Sequence, residues 1–330
     1  MKQVVHVRAF PRLHVTLIDL GGATHRRYGG AGFSLDGPWT DVEAMPSRQN
    51  TLELPFAVDE RDRRDVQDMI SRLSRQLRRC FAVAVRKTPP LHIGLGTKTA
   101  LLLATARSCM EVVGREPDRD QLQRVSRRGA ASGVGINAFF TGGLVVDLGH
   151  PTSRSRTWLP SGASVPKSPP PVGVRSSVPE HWVFHLFLLA GKRYHAGEEV
   201  EMFRRNTPVP RHEVTAVLAE VYHGLVPAVI CDNLPLLKTV LRTINRRGFK
   251  RAEVTGQPRG VRAAMSLLDR DTEAAVGMSS MGPLVYAITD SRSESVQRLL
   301  NRRGKALRSV YIGCYPARNT GHEVLRVAVK

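Results

Sequence analysis

Apolar and polar residues alternate along residues 3–10 and again along 13–20, as they do in β-strands with one buried face. Between residues 59 and 81 apolar side chains recur every three or four positions, with arginines and aspartates between them, which predicts an amphipathic helix. A short strand is expected at 91–94. The Ala- and Leu-rich stretch 97–113 predicts a second, more deeply buried helix directly after it.

The pattern changes after residue 147. Residues 151–180 contain seven prolines and seven serines without periodicity, which predicts a connection between two lobes or an exposed loop. The two lobes are assigned to residues 1–155 and 156–330. An apolar strand at 182–189 opens the second lobe. The remaining predicted elements are helices near 198–205, 211–226, 232–247 and 291–303, and strands near 282–289, 308–313 and 323–329. Because strands and helices interleave in both halves, the predicted class is α+β.

The composition is that of a globular protein. The chain has 330 residues, of which 42% are hydrophobic, so wholesale disorder is excluded. No window approaches the roughly 18 uninterrupted apolar residues of a membrane span, and the first residues lack the apolar core of a secretion signal, so we expect a cytoplasmic protein without a membrane partner. The four cysteines lie far apart, which suggests neither a zinc site nor a disulfide framework.

The chain is strongly basic, with 49 Lys and Arg against 29 Asp and Glu and a formal net charge of +20. Two explanations compete: a nucleic-acid surface, or solvated helix faces that are rich in arginine. Aromatic residues make up 6%, and no basic segment interleaves them as single-strand binders do, so nucleic-acid binding is the less favoured alternative. The ligand is expected to be anionic.

Three glycine-rich segments carry the candidate chemistry. In residues 91–100, Leu-His-Ile-Gly-Leu-Gly-Thr-Lys-Thr-Ala runs straight into a helix, where backbone N–H groups and hydroxyls suit a phosphate; a packing turn is the alternative. Residues 127–143 hold Ser-Gly-Val-Gly and a later Gly-Gly pair, which permit close backbone approach to a ligand or else a tight lobe junction. Residues 277–283, Gly-Met-Ser-Ser-Met-Gly-Pro, suit an anion or a plain turn.

In their order, these segments resemble the GHMP kinases, a superfamily named after galactokinase, homoserine kinase, mevalonate kinase and phosphomevalonate kinase. Within it the chain is most similar to β-ribofuranosylaminobenzene 5′-phosphate synthases and to C-nucleoside synthases of the formycin type. The motifs that carry the resemblance are 12–14 with 17–20, 92–96, 132–135 with 142–143, 197–199 with Phe203, and 277–283. It implies a ribosomal-protein-like N-terminal lobe and a ferredoxin-like C-terminal lobe.

One position separates kinase from synthase. The kinases carry a catalytic aspartate two residues after Ser-Gly in the second segment, where this chain has Gly135. Without that carboxylate, the group that would activate a hydroxyl for attack on ATP is missing. The resemblance therefore implies 5-phosphoribosyl-1-pyrophosphate as the substrate, and an ATP-dependent small-molecule kinase is the alternative.

The implied reaction joins the ribose anomeric carbon to an aromatic carboxylic acid, with loss of pyrophosphate and CO2. The aminobenzoate-type synthases carry Ser-Gly-Thr-Gln after Gly-Leu-Gly, where this chain has Thr97-Lys98-Thr99. We take this difference to favour an amino-pyrazole dicarboxylate, as in C-nucleoside antibiotic biosynthesis, over hydroxybenzoate or aminobenzoate. The expected partners are phosphoribosyl pyrophosphate and the aromatic acid, without nucleic acid or membrane, and a homodimer is compatible with the sequence.

The resemblance and the chemistry together assign four sets of residues. The predicted catalytic residues are Arg12, His14, Asp19 and Lys98. The predicted phosphoribosyl pyrophosphate ligands are Gly94, Leu95, Gly96, Thr97, Lys98, Thr99, Ser132, Gly133 and Gly135. The predicted aromatic-acid ligands are Arg12, Gly30, Ser279, Ser280 and Met281. A Mg²⁺ cofactor is assigned to Glu198 and Glu199, with Asp19 as a further candidate and helix capping as the alternative role of the two glutamates.

Overall fold

The computed structural model describes residues 2–55, 58–152, 157–303 and 305–329. The strands are β1 (Lys2–Ala9), β2 (Arg12–Asp19), β3 (Arg26–Ser34), β4 (Thr40–Ser47), β5 (Thr51–Glu53), β6 (Cys80–Lys87), β7 (Leu144–Asp147), β8 (His150–Pro151), β9 (Val172–Ser176), β10 (Trp182–Leu188), β11 (Ala275–Met278), β12 (Leu284–Asp290), β13 (Tyr311–Pro316) and β14 (Glu323–Val329). The helices are α1 (Glu60–Leu77), α2 (Thr97–Val112), α3 (Arg119–Ser126), α4 (Val134–Thr141), α5 (Ala196–Asn206), α6 (Arg211–Glu220), α7 (Val226–Ile230), α8 (Leu234–Ile244), α9 (Gly248–Thr255), α10 (Arg259–Asp271), α11 (Ser295–Arg303) and α12 (Lys305–Arg308), with a π-helical turn, Val221–Leu225, between α6 and α7.

The strands form three sheets, which interleave the two halves of the chain. One sheet has the order β14-β1-β4-β6-β5, another β2-β3-β7-β9 with β8 beside β3, and the third β11-β12-β10-β13. The C-terminal β14 pairs antiparallel with the N-terminal β1, and β9 pairs with β7. The predicted boundary between residues 155 and 156 lies outside the described residues. Strands from beyond it complete both sheets of the first lobe.

Helices α1 and α2 cover the first sheet. The predicted helix 59–81 ends at Leu77, because Arg78 adopts a left-handed φ of 50° and the chain then enters β6. Phe81 is fully buried in that strand. The predicted strand 91–94 is also wrong: the segment is a turn, in which His92 has φ 60° and Gly94 has φ 108°, neither of them compatible with extended backbone.

A second core joins the other two sheets. Phe33 of β3 and Phe184 of β10 lie with their ring centroids 5.4 Å apart, and the helical segment 211–230 and α8 pack into the same cluster. By length and hydropathy the segment 211–230 could cross a membrane, but half of its apolar window is buried inside the fold, as in a core helix of a folded domain. The shared core holds the two halves together.

The proline- and serine-rich connection is partly buried. Residues 157–171 are irregular, but Trp158 and Pro160 are buried, and the chain then enters β9. The backbone of this segment accepts hydrogen bonds from the first lobe, including one from the Gln123 side chain to the carbonyl of Pro166. Residues 160–165 thereby come to lie against the cavity described next.

Candidate active site

A cavity of about 590 Å³ lies where four helices begin. Its lining includes residues at the N-terminal ends of α1, α2, α4 and α5, together with the start of β2 and residues 160–165. Helix N-termini present unpaired N–H groups and the positive end of the helix dipole. The arrangement favours an anionic ligand, in particular one with phosphate groups.

The first and third glycine-rich segments meet at β2. The carbonyl of Gly94 accepts hydrogen bonds from Arg12 Nη1 at 2.8 Å and from Ser279 Oγ at 2.6 Å. The backbone N–H of His14 donates to Ser279 Oγ at 2.9 Å, and the N–H of Ser280 donates to the carbonyl of His14 at 3.0 Å. These bonds hold the turn before α2 against the floor of the cavity.

Two glycines leave room for the Arg12 side chain. A Cβ at Gly96, where φ is 69°, would lie 3.0 Å from the guanidinium carbon of Arg12. A Cβ at Gly135 would lie 3.2 Å from Thr99 Cγ2 and 4.0 Å from Arg12 Nε. Position 135, where the kinases carry their aspartate, therefore faces the Arg12 guanidinium and the first turn of α2.

Arg12 and Arg128 are neighbouring cations that are partly buried. Burial, and next the neighbouring Arg128, lower the pKa of Arg12 to about 10. Burial likewise lowers the pKa of Arg128, whose Nε donates to Thr99 Oγ1 at 3.1 Å. Two like charges removed from water repel each other, and a bound anion would relieve this repulsion.

Lys98 lines the cavity but is not a free cation. Its ammonium lies 2.7 Å from Asp62 Oδ1 and also pairs with Asp65. Asp62 in turn lies 2.8 Å from His92 Nε2. Burial alone would raise the pKa of Asp62, but the hydrogen bonds from His92 and Lys98 outweigh it and hold this pKa at about 2. The charge of Lys98 is therefore shared with two carboxylates of α1.

His14, Ser132 and Asp147 form a hydrogen-bonded chain behind the cavity wall. His14 Nε2 lies 3.1 Å from Ser132 Oγ, which donates to Asp147 Oδ2 at 3.2 Å, so the Nε2 proton of His14 points to Ser132. Burial, reinforced by Arg12 and Lys250, holds the pKa of His14 well below its ordinary value, so the imidazole is neutral. Burial raises the pKa of Asp147 to about 6 against the hydrogen bonds that it accepts.

Sequence reasoning missed Asp147, Lys250 and Glu253. Strand β7 directly follows the Gly-Gly pair and ends at Asp147. An acidic residue at the end of that strand could have been used to predict the site. Lys250 is fully buried on α9, and its ammonium donates to the carbonyls of Met278 and Ser280 and pairs with Glu253 at 2.7 Å. It thereby fixes the third glycine-rich turn. No spacing or motif around Lys250 indicates this role.

The structure brings twelve of the predicted site residues to the cavity. They are Arg12, His14, Gly94, Gly96, Thr97, Lys98, Thr99, Ser132, Gly135, Glu199, Ser280 and Met281. Six others are not part of its lining: Asp19, Gly30, Leu95, Gly133, Glu198 and Ser279.

The Asp19 carboxylate stabilises a turn. It accepts hydrogen bonds from the backbone N–H groups of the four residues 21–24, so both oxygens are occupied. Gly30 lies behind His14, since a Cβ there would approach His14 Nε2 to 2.8 Å. Ser279 is fully buried and joins Gly94 to β2.

The two glutamates assigned to Mg²⁺ have different surroundings. Glu198 pairs with Lys192 at 3.3 Å and accepts a hydrogen bond from the backbone of His195 at 3.2 Å. Glu199 faces the cavity, and burial raises its pKa. Glu199 presents to the cavity a carboxylate, the type of oxygen ligand that Mg²⁺ takes, whereas both oxygens of Glu198 are engaged elsewhere.

Known proteins resemble the chain over nearly its whole length. It is 32% identical to a β-ribofuranosylphenol 5′-phosphate synthase from Archaeoglobus fulgidus, over 97% of this chain and 99% of the relative. It is 33% identical to the synthase of the same name from Methanothermobacter thermautotrophicus, over 86% of this chain and 88% of the relative. No protein-family model matches the chain.

Solved structures show the same fold. Mevalonate diphosphate decarboxylase from Enterococcus faecalis superposes with a TM-score of 0.69 at 14% identity, over 99% of this chain and 100% of the other. Homoserine kinase from Cytophaga hutchinsonii superposes with a TM-score of 0.68 at 16% identity, over 98% of this chain and 97% of the other. The predicted α+β fold of the GHMP kinases is confirmed. With this fold and the near full-length identity to the archaeal synthases, the chain belongs to the β-ribofuranosylphenol 5′-phosphate synthase family.

Proposed function

We propose that the protein couples 5-phosphoribosyl-1-pyrophosphate to an aromatic or heteroaromatic carboxylic acid, with loss of pyrophosphate and CO2. The observation that carries the proposal is the pair of partly buried guanidinium groups, Arg12 and Arg128, beside the first turn of α2. Membership of the synthase family supports the same reaction class.

Pyrophosphate would leave from the N-terminal end of α2. Backbone N–H groups of residues 97–99, the Arg12 and Arg128 side chains and the Thr97 hydroxyl are fixed there before the reaction begins. Preorganised donors stabilise charge as it develops on the leaving group, and this is commonly the largest contribution to catalysis. Glu199 fits Mg²⁺, which would neutralise part of the charge on the departing pyrophosphate.

His14 suits a reaction with a cation-like sugar. As pyrophosphate departs, the anomeric carbon gains positive charge, and a protonated imidazole nearby would oppose this change. Burial keeps His14 neutral, and the hydrogen bond to Ser132 sets its orientation. We assign His14 the role of a neutral wall residue that positions the sugar.

The ring carbon that attacks the sugar carries the departing carboxylate. Loss of CO2 then restores aromaticity, so no strong base has to remove a ring proton. An apolar wall formed by Tyr194, Phe203 and Met281 offers packing for a flat ring, and Ser280 supplies polar groups beside it. The reaction then depends on positioning and electrostatics, which agrees with the absence of a carboxylate at Gly135.

Two acceptors are to be compared. The departure at Thr97-Lys98-Thr99 from the aminobenzoate-type pattern favoured an amino-pyrazole dicarboxylate, and the lysine of this segment is paired with Asp62 and Asp65. A hydroxybenzoate would yield the phenol product for which the archaeal relatives are named. Both compounds are aromatic acids that can lose CO2 after coupling.

Mass spectrometry of the reaction products tests the proposal. The protein is incubated with phosphoribosyl pyrophosphate, Mg²⁺ and, one at a time, 4-hydroxybenzoate, 4-aminobenzoate and an amino-pyrazole dicarboxylate. We expect a ribosylated ring without its carboxylate, together with stoichiometric pyrophosphate. A product that retains the carboxylate, or ADP formed at enzymatic rates from ATP and an alcohol, would contradict the assignment.

A further inference from the structure

We propose that Asp59, His92 and His195 bind a divalent transition-metal ion at the cavity. One ligand atom from each residue lies within 4.8 Å of the other two. The three residues come from separate parts of the chain: the start of α1, the turn before α2 and the start of α5. All three line the cavity, beside the residues assigned above to pyrophosphate.

His92 already has the support that a metal-binding histidine needs. Its Nε2 lies 2.8 Å from the carboxylate of Asp62, a residue that is only 2% exposed and is held on its other side by Lys98. That contact leaves the second ring nitrogen for a metal. A carboxylate behind a ligating imidazole fixes the orientation of the ring and raises its basicity.

Asp59 and His195 complete the set from two helix starts. Asp59 caps α1 through Oδ1, which accepts a hydrogen bond from the N–H of Asp62 at 2.8 Å, and this leaves Oδ2 for a cation. The rings of His92 and His195 lie 5.2 Å apart, at an angle of 54°. Asp59 and His195 are exposed, so an ion can enter from solvent.

The donor set selects the kind of ion. Two imidazole nitrogens and one carboxylate oxygen suit Mn²⁺, Co²⁺ or Zn²⁺, whereas Mg²⁺ prefers oxygen ligands alone. Three protein ligands leave coordination positions open. Since these positions belong to an ion that borders the cavity, we infer that they receive a pyrophosphate oxygen, a step that rests on the proposed function.

Co²⁺ binding tests the site directly. The full-length protein is treated with a chelator, dialysed and titrated with Co²⁺, and binding is followed by visible absorption and calorimetry. We expect one Co²⁺ per chain, displaced by Zn²⁺ and not by an equal concentration of Mg²⁺. Co²⁺ binding that Mg²⁺ abolishes equally well, or the absence of Co²⁺ binding, would overturn the proposal.

Single-residue variants distinguish loss of a metal ligand from loss of the fold. His195→Ala and Asp59→Asn should each lose the Co²⁺ spectrum, and asparagine retains the ability to cap α1. Asp62→Asn should weaken binding by about 10- to 100-fold, as loss of a supporting carboxylate does elsewhere. His212→Ala, at a side chain that is 78% exposed on α6, is the matched control and should bind like the wild type. Unchanged Co²⁺ binding in His195→Ala, with metal-free thermal unfolding of this variant like that of the wild type, would refute the site.

Pyrophosphate addition tests the link to substrate. We expect it to shift the Co²⁺ spectrum of the wild-type protein, and an unshifted spectrum would refute the open coordination positions. If the protein binds Co²⁺ with the expected spectrum but forms no product from phosphoribosyl pyrophosphate and an aromatic acid, only the proposed synthase reaction is contradicted.

Discussion

At the scale of single residues, the site is defined by cationic side chains in partly buried positions, where a charge loses hydration. Arg12 and Arg128 are both partly buried, burial lowers the pKa of each, and the charge of Arg128 further lowers the pKa of Arg12. Burying two like charges costs free energy unless a counterion joins them. This cost is what a pyrophosphate group would relieve on binding.

Replacing Lys98 should weaken substrate binding. In Lys98→Ala, the carboxylates of Asp62 and Asp65 lose their cation and face the incoming pyrophosphate. We expect the KM for phosphoribosyl pyrophosphate to rise by about tenfold or more, the scale of a lost charged hydrogen bond. Steady-state kinetics measure it, with Lys87→Ala on β6, whose ammonium lies over Trp39, as the control. An unchanged KM in Lys98→Ala would remove this residue from the site.

Introducing at position 135 the aspartate that the kinases carry should abolish synthesis. In Gly135→Asp the new carboxylate would stand beside the Arg12 guanidinium, pair with it and repel pyrophosphate. We expect loss of synthesis and no gain of ATP turnover, measured by pyrophosphate and ADP release. Gly135→Ala isolates the steric part, and Gly260→Asp, where a Cβ meets nothing within 4 Å, controls for added charge. A faster synthase would refute this view of the pocket.

At the scale of secondary-structure elements, α1 and α2 are tied together by one buried acid. Asp62 of α1 holds Lys98 of α2 and His92 of the turn between them. The amphipathic helix therefore does more than cover the first sheet, because its acidic edge borders the cavity with Asp59, Asp62, Asp65 and Asp68. Acidic and basic side chains therefore border the same cavity.

Asp62 should make stability depend on pH in the acid range. Its pKa is about 2 in the folded protein against an ordinary 3.8, so its contribution is fully present above 3.8 and is lost as the pH falls towards 2. This difference in pKa corresponds to about 2 kcal/mol. We expect Asp62→Asn to lower the free energy of unfolding by about that amount at neutral pH, and by progressively less in acid.

Urea unfolding followed by circular dichroism measures the effect at each pH. Asp68→Asn, an exposed position on the same helix, is the control and should leave the free energy of unfolding unchanged. A deficit in Asp62→Asn that stays constant with pH would show that ionisation of this carboxylate is not its cause.

At the scale of the whole molecule, the chain ends meet in one sheet. β14 pairs with β1 along seven residue positions, and Arg326 of β14 reaches the buried Glu111 of α2 at 2.6 Å. β9 adds to the sheet of β2, β3 and β7 in the same way. The first lobe is thus built from segments on both sides of the predicted boundary.

Residues 1–155 expressed alone should therefore fail to fold. Without β14 and β9, two sheets lose an outer strand, and Glu111 loses one of its two arginine partners. We expect aggregation or a non-cooperative thermal transition, and recovery of a cooperative transition on coexpression with residues 156–330. A soluble 1–155 fragment with cooperative unfolding would show an independent domain.

Local sequence predicted only part of the regular structure; β3, β4 and α10, for example, were not predicted. Helix α2 and strand β10 follow from runs of side chains whose spacing and apolar character allow one conformation. The end of α1 does not follow, because Phe81 fits the helical period of 59–77 and also the alternation of β6. The pairing of β6 with β4 decides between the two, and that is a contact between distant segments.

The three glycine-rich segments could be found in the sequence because glycine at a turn is a local requirement of the backbone. The charge states of the site could not. Whether Lys98 is free or paired depends on Asp62. Whether His14 is neutral depends first on its burial and then on Arg12 and Lys250. Whether His92 has a second imidazole beside it depends on His195. Burial and electrostatic interaction depend on which residues lie close together in the folded chain. The sequence by itself therefore determined the motifs, and only the tertiary structure decided their chemistry.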